Sequence, residues 1–256
     1  VCKGWYSLIK TLLLRRYWLL RHRFLSTIFF ITLFPIIFHF TITKVMENIL
    51  PLPFNNIAYE VWVFPAVIFL IASTSTFAII YRDFFDLRIH KISFLSITIA
   101  PFKKTHLIVG FIITSIIESF FYVIITMITL KIIMVSPLHW TVFLFTPIFT
   151  FIYTFLLANI IVTFSIISDR IFTFLSFSII LFFFIIFGNG FIIEFDLFPH
   201  NMGRILSFNP LSIILSELRN ILFFNNFDWK LISIPILVAL FWTLLNGNLL
   251  KRKLKQ

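Results

Sequence analysis

The sequence predicts an all-α integral membrane protein with six transmembrane helices. Three observations predict it. Of 256 residues, 60% are hydrophobic and 12% charged, and the mean hydropathy is +1.05. Soluble domains carry a charged fraction of about 25%, so this chain lacks the polar surface needed to solvate its own exterior. Apolar runs of spanning length recur at roughly 24–43, 62–81, 107–134, 141–167, 171–192 and 230–250, where a span needs about 20 residues. The cations are unevenly divided between the intervening segments. With the N-terminus inside, 16 of the 21 Lys and Arg fall on inner segments and 5 on outer ones. Cations concentrate on the cytoplasmic side of short loops, so both termini are expected in the cytoplasm and the chain in the inner membrane as a multi-pass protein. It reads as one membrane domain over 1–256: an interfacial helix (1–23), spans one to five (24–192), an outer segment (188–229), then span six with a basic tail (230–256).

Residues 1–23 carry Lys3, Lys10, Arg15, Arg16, Arg21 and Arg23 and no acid. At 100° per residue, Lys3, Lys10 and Arg21 share one side, with Trp5, Leu12 and Leu19 opposite. Such a helix suits the headgroup layer, its cations against anionic lipid. Arg15, Arg16 and Arg23 lie nearer the apolar flank, so the amphipathicity is imperfect. Cations and aromatic anchors occur here without an apolar core, which is not the pattern of a cleavable signal peptide.

The stretch 61–110 organises the rest. An apolar run ends at Arg82, and a mixed segment follows with Asp83, Asp86, Arg88, His90 and Lys91 before Ala100-Pro101 and Lys103-Lys104. Its apolar positions Phe85, Ile89, Ile92 and Leu95 suit a short amphipathic helix lying flat on the inner face. The polar side of that helix is open to a soluble partner. The tight inner turn Ser168-Asp169-Arg170 separates spans four and five.

The outer segment 188–229 is too apolar for a solvated loop. Its breakers, Gly188-Asn189-Gly190, Pro199 and Asn209-Pro210, fall between apolar stretches too short to span,. Short re-entrant helices that narrow the outer end of a pathway are the expectation, since irregular backbone at that depth must lie against protein or a wet cavity. Asn209 supplies an N-cap and Pro210 a first helical residue. Glu217 and Arg219 follow in the body of that helix, as candidate contacts at the rim. For Arg219, an interface anchor and a headgroup-phosphate site are both open.

Motifs for chemistry are missing from the sequence. No GxxxxGK[ST] is present to cradle a nucleotide, no GxSxG elbow, and no His is followed at i+3 or i+4 by a His, Cys or carboxylate that could share a metal. One cysteine, Cys2, excludes an internal disulfide. Glu118 is the acid in the middle of a span, where ionisable groups are expensive. It is either a cavity-facing contact or a hydrogen-bonded core residue near Ser115, Ser119 and Tyr122. Asn159 reads as inter-helix glue or as part of a pathway.

These residues together resemble a known family, the permease subunit of type-2 ABC exporters, a group that includes drug, nodulation-factor and polysaccharide exporters. The resemblance rests on Phe64-Pro65-Ala66 opening span two, Phe84-Phe85 with Ala100-Pro101 and Gly110, and Asn209-Pro210-Leu211 with Arg219, in that order over nearly the whole chain. The chain departs at Ile89-His90-Lys91-Ile92-Ser93, where the family often has Gly and Glu, and it lacks an LGxxW pattern near Phe24–Pro35. The second departure favours a drug- or lipid-like substrate over a polysaccharide. The resemblance implies a homodimer, or a pair with a paralogue, docked on two separate P-loop ATPase subunits. It implies no enzymatic site and no cofactor in this chain, with ATP and Mg on the partner, and no nucleic-acid partner. Arg82, Asp83, Asp86, Arg88, His90 and Lys91 are then expected to couple to the ATPase. Gly188, Gly190, Pro199, Asn209, Pro210, Glu217 and Arg219 are expected to form the outer gate. A membrane enzyme acting on lipids and a non-catalytic assembly factor are the alternatives; the first lacks clustered acids or His at the inner face.

Overall fold

The computed structural model describes residues 2–49, 57–89 and 103–254. Among them nine helices follow in order: α1 (Cys2–His22), α2 (Phe24–Ile49), α3 (Tyr59–Ile89), α4 (Lys104–Ile133), α5 (Trp140–Ile167), α6 (Ile171–Gly188), α7 (His200–Ser207), α8 (Pro210–Phe224) and α9 (Trp229–Lys253). Six of these, α2 to α6 and α9, are long and apolar enough to cross a membrane. The chain is therefore an all-helical, multi-pass membrane protein.

The helices are not equivalent. The apolar stretch of α3 is 78% buried, against 11% for α2 and 22% for α6. An all-round apolar helix belongs in a protein interior or in lipid, and this bundle uses both. Helices α3, α4 and α5 pack on one another as the core. Helices α2 and α6 turn rows of large side chains outward, among them Phe29 and Phe30 on α2 and Phe172 and Phe183 on α6. Those rows suit hydrocarbon.

Contacts between helix ends show that the six long helices alternate in direction. On one side, α1 meets the end of α3 through Arg16 and Asp83. There too, Arg88 of α3 and Lys253 of α9 both reach Asp169 in the turn between α5 and α6. On the opposite side, Glu60 at the start of α3 accepts from the backbone N–H groups of Val135 and Ser136, beyond the end of α4. The turn 168–170, the far end of α3, α1 and the basic end of α9 thus share one side.

Helix α1 lies along α4. Leu8 and Leu12, one turn apart, pack onto Gly110, where a Cβ would meet Leu8 Cδ2 at 2.6 Å. Glycine at 110 is what lets the two backbones approach. One face of α1 is therefore a contact with protein.

The sequence reading ends span two at residue 81 and turns the chain flat. The structure keeps one helix running to Ile89, with a π-helical stretch at Tyr81–Asp86. A π-bulge inserts one extra residue per turn, and such bulges often mark functional sites. A second one, His39–Thr43, interrupts α2 just after Pro35. The helix of α3 past residue 81 is held by stacked rings: Phe85 lies on Phe174 of α6 at 4.4 Å between centroids, with Tyr81 and Phe77 continuing the column. Offset stacking adds to the area that these rings bury. His90 and Lys91, and the rest of the expected surface helix through Ala100-Pro101, lie outside the described residues.

Candidate functional site

The densest group of buried charge sits where α1, α3 and α4 meet. Arg16 is 7% exposed, Asp83 3% and Glu118 6%. Arg16 Nη2 donates to Glu118 Oε1 at 2.7 Å, and its Nε donates to Glu118 Oε2, so the fork is bidentate. Arg16 Nη1 lies 3.2 Å from Asp83 Oδ1, and Arg15 approaches the same carboxylate at 3.7 Å. Tyr122, one turn on from Glu118, donates its hydroxyl to Oε1 at 2.5 Å. Two cations thus meet two carboxylates across three helices. The arrangement accounts for the flaw in the amphipathicity of α1. Arg15 and Arg16 sit on its apolar flank because that flank faces two acids rather than lipid.

Asp83 is thereby withdrawn from solvent, whereas the sequence reading put it on a polar face open to a partner. Arg82, on the same π-helical stretch, is half-buried. Asp86 lies one turn further and is also half-buried. Arg88 reaches across to the turn between α5 and α6. It donates to Asp169 Oδ1 at 3.0 Å and to the Ser168 carbonyl. Lys253 of α9 donates to Asp169 Oδ2 at 2.7 Å. The two cations hold the Asp169 carboxyl below its ordinary range, Lys253 contributing most and Arg88 next. One exposed acid therefore gathers the same-side ends of four spanning helices, α3, α5, α6 and α9.

Asn159 joins α5 to α9. Its Oδ1 accepts from Thr243 at 3.0 Å, and its carbonyl accepts from Asn246 Nδ2 at 2.9 Å. Asn246 Oδ1 accepts in turn from Thr163, whose hydroxyl oxygen accepts from Trp242 Nε1. Asn159 Oδ1 and both polar side-chain atoms of Asn246 thus bridge the two helices, while Asn159 Nδ2 donates within α5 to the Phe155 carbonyl.

On the opposite side, Gly188, Asn189 and Gly190 end α6, and Gly190 adopts φ +69°. Asn189 Oδ1 accepts from Asn209 Nδ2 at 2.5 Å and from Ser212 at 3.0 Å. Asn209 caps α8, Pro210 is its first residue, and Pro199 precedes α7. Arg219 lies deeper than an interface anchor would. It is 8% exposed, it donates to the carbonyls of Gly190 (2.7 Å), Trp62 (3.3 Å) and Phe191 (3.4 Å), and its guanidinium stacks 3.4 Å from the Trp62 ring centroid. Burial lowers its pKa, while Glu194 and Tyr59 draw it back up. Burial raises the Glu194 carboxyl, against the pull of Arg219. Glu217 does not pair with Arg219. It accepts from Asn220 and from the Asp228 N–H, closing the turn into α9.

Sequence reasoning missed Arg16, Glu60 and Asn246. Glu60 is 1% exposed and takes three hydrogen bonds from residues 135 and 136, with His39 Nε2 at 3.3 Å. The signal for Arg16 was present as a cation on an apolar flank. Those for Glu60 and Asn246 depended on long-range pairing that no local spacing encodes. Among the described residues no group of three His, Cys, Asp or Glu is placed to hold a metal ion. No protein-family model, curated protein or solved structure matches the chain.

Proposed function

We propose that this chain is the membrane-spanning permease subunit of an ATP-driven exporter. It moves an amphipathic or lipid-linked substrate outward by alternating access, and a separate P-loop subunit hydrolyses ATP. The reading starts from the resemblance to type-2 ABC permeases. One observation supports it most: α3 runs unbroken past its apolar stretch to Ile89, and its charged end is tied to α1 by Asp83 and to the α5–α6 turn and α9 by Arg88.

A stiff helix with that anchorage is a lever. A force applied beyond Ile89 by a closing ATPase dimer is delivered to α1, α5, α6 and α9 together. The packed core offers discrete arrangements rather than continuous deformation. At the far end of the same helix, Trp62 receives Arg219, so a shift of α3 along its axis carries α8 with it. ATP binding thereby biases the outer segment, which acts as the gate.

The test is purification of the tagged chain from its native membranes. An ATP-hydrolysing P-loop subunit should co-purify in equal amount, and its hydrolysis should rise in the presence of the chain. Recovery of the chain alone, with no ATPase bound under any mild detergent, contradicts the reading.

A further inference from the structure

A groove of about 600 Å³ opens between α1, α2, α3 and α4 on the side of the buried charge group. That volume lies in the range of ligand sites, about 300–1,000 Å³. Its walls are apolar, built from Phe30, Ile31 and Phe34 of α2 and Ile71 and Ile79 of α3. Its mouth is cationic, with Arg23 and Arg82.

The charge balance at this mouth is uneven. Glu118 and Asp83 are already matched by Arg16 and Arg15. Arg23 and Arg82 therefore remain as surplus cations, with no carboxylate partner among the described residues. They stand where α1 gives way to α2 and where the apolar part of α3 ends. Guanidinium groups suit phosphate oxygens through paired, charge-assisted hydrogen bonds. The hydroxyls of Thr27, Thr74 and Ser75 line the groove below them.

Its length fits as well. From Arg23 to Phe34, α2 advances about 16 Å at 1.5 Å per residue. One leaflet of a hydrocarbon core about 30 Å thick has nearly the same depth.

From the surplus cations, the apolar walls and the one-leaflet length, we propose that this groove is a binding site for a single anionic phospholipid from the leaflet on the α1 side. The headgroup phosphate sits between Arg23 and Arg82, and an acyl chain runs along Phe30 and Phe34. The proposal concerns the chain by itself and stands or falls independently of any ATPase.

The experiment uses the full chain in nanodiscs of equal phosphatidylglycerol and phosphatidylcholine, released into native mass spectrometry. The wild type should retain one phosphatidylglycerol and little phosphatidylcholine. Arg23→Gln with Arg82→Gln should reduce that retention several-fold. Lys251→Gln with Arg252→Gln, at the basic end of α9, should leave it unchanged. Equal retention of both lipids, or equal loss in both double variants, overturns the site. A second measurement needs no variant. Phosphatidylglycerol carrying a photoreactive acyl chain should label wild-type peptides containing Phe30 and Phe34. Labelling confined to α6 or α9 overturns the proposal.

Discussion

Replacing Arg16 by Met leaves the apolar stem in place and removes the fork that binds Glu118. Glu118 is 6% and Asp83 3% exposed, so neither carboxylate can recover its hydration. Among the described residues, Arg15, 3.7 Å from Asp83, is then the cation still ion-paired with the two acids. Orphaning a buried charge in this way costs about 3–5 kcal/mol. For a chain of this size each kcal/mol moves the midpoint by about 2–4 °C, so Arg16→Met should lower Tm by roughly 6–20 °C. Adding Glu118→Gln removes one of the stranded charges, and the double variant should recover more than half of the loss. The coupling between the two sites should reach about 2–3 kcal/mol, near the top of the range for residues in direct contact. The assay is thermal unfolding of the detergent-purified chain by intrinsic tryptophan fluorescence, for the wild type, both single variants and the double. Additivity within about 0.5 kcal/mol refutes the reasoning, because contacting charges must couple.

Arg219→Met should cost about 2–4 kcal/mol, since three buried carbonyls lose their donor, and Arg219→Lys should rescue little of it because an ammonium cannot reproduce the fork; unfolding midpoints measure both. Asn246→Leu should destabilise by about 1–3 kcal/mol through the loss of its hydrogen bonds with Thr163 and with Asn159,, and a smaller loss on the same assay would mean that water replaces the amide. Asp169→Asn should cost less than about 1 kcal/mol, because the carboxylate is solvent-screened. The Asp169 carboxyl is held below its ordinary value of 3.8. Its contribution is therefore present above that value and disappears as pH falls through the lowered one. The stability gap between wild type and Asp169→Asn should be constant from pH 5 to 7 and close below pH 4, as followed by denaturation at fixed pH.

The spans were legible because hydrocarbon imposes one local rule, a run of about 20 apolar residues; α5 follows the expected bounds nearly to the residue, while α4 begins three residues earlier and α6 ends four residues earlier than expected. The start of α8 was legible for a similar reason: Asn209 and Pro210 carry their cap within two positions. The end of α3 was not. Arg82, Asp83 and Asp86 look like the point where a helix leaves the membrane, yet α1 supplies Asp83 with a cation from 67 residues away in sequence. Burial of an acid depends on such a distant partner, and no window of hydropathy contains it. Arg219 misled for the complementary reason. Its three acceptors are main-chain carbonyls, which leave no trace in side-chain identity. Glu118 was legible as a costly group, and its helical neighbour Tyr122 was visible at i+4, but Arg16 was not.

The central claim is that force at the charged end of α3 reaches the outer segment. It is tested by single cysteines at Ser216 and Asn220, both half-buried on α8, in a Cys2→Ser background of the chain reconstituted with the proposed P-loop ATPase. Labelling rates with a membrane-impermeant maleimide are compared without nucleotide and with ATP trapped by vanadate. The account predicts a several-fold change on trapping at both positions. Arg88→Glu should abolish that change, and adding Asp169→Lys to rebuild the ion pair should restore it. Labelling rates indifferent to nucleotide in the wild-type complex, with ATP demonstrably trapped, would contradict the account.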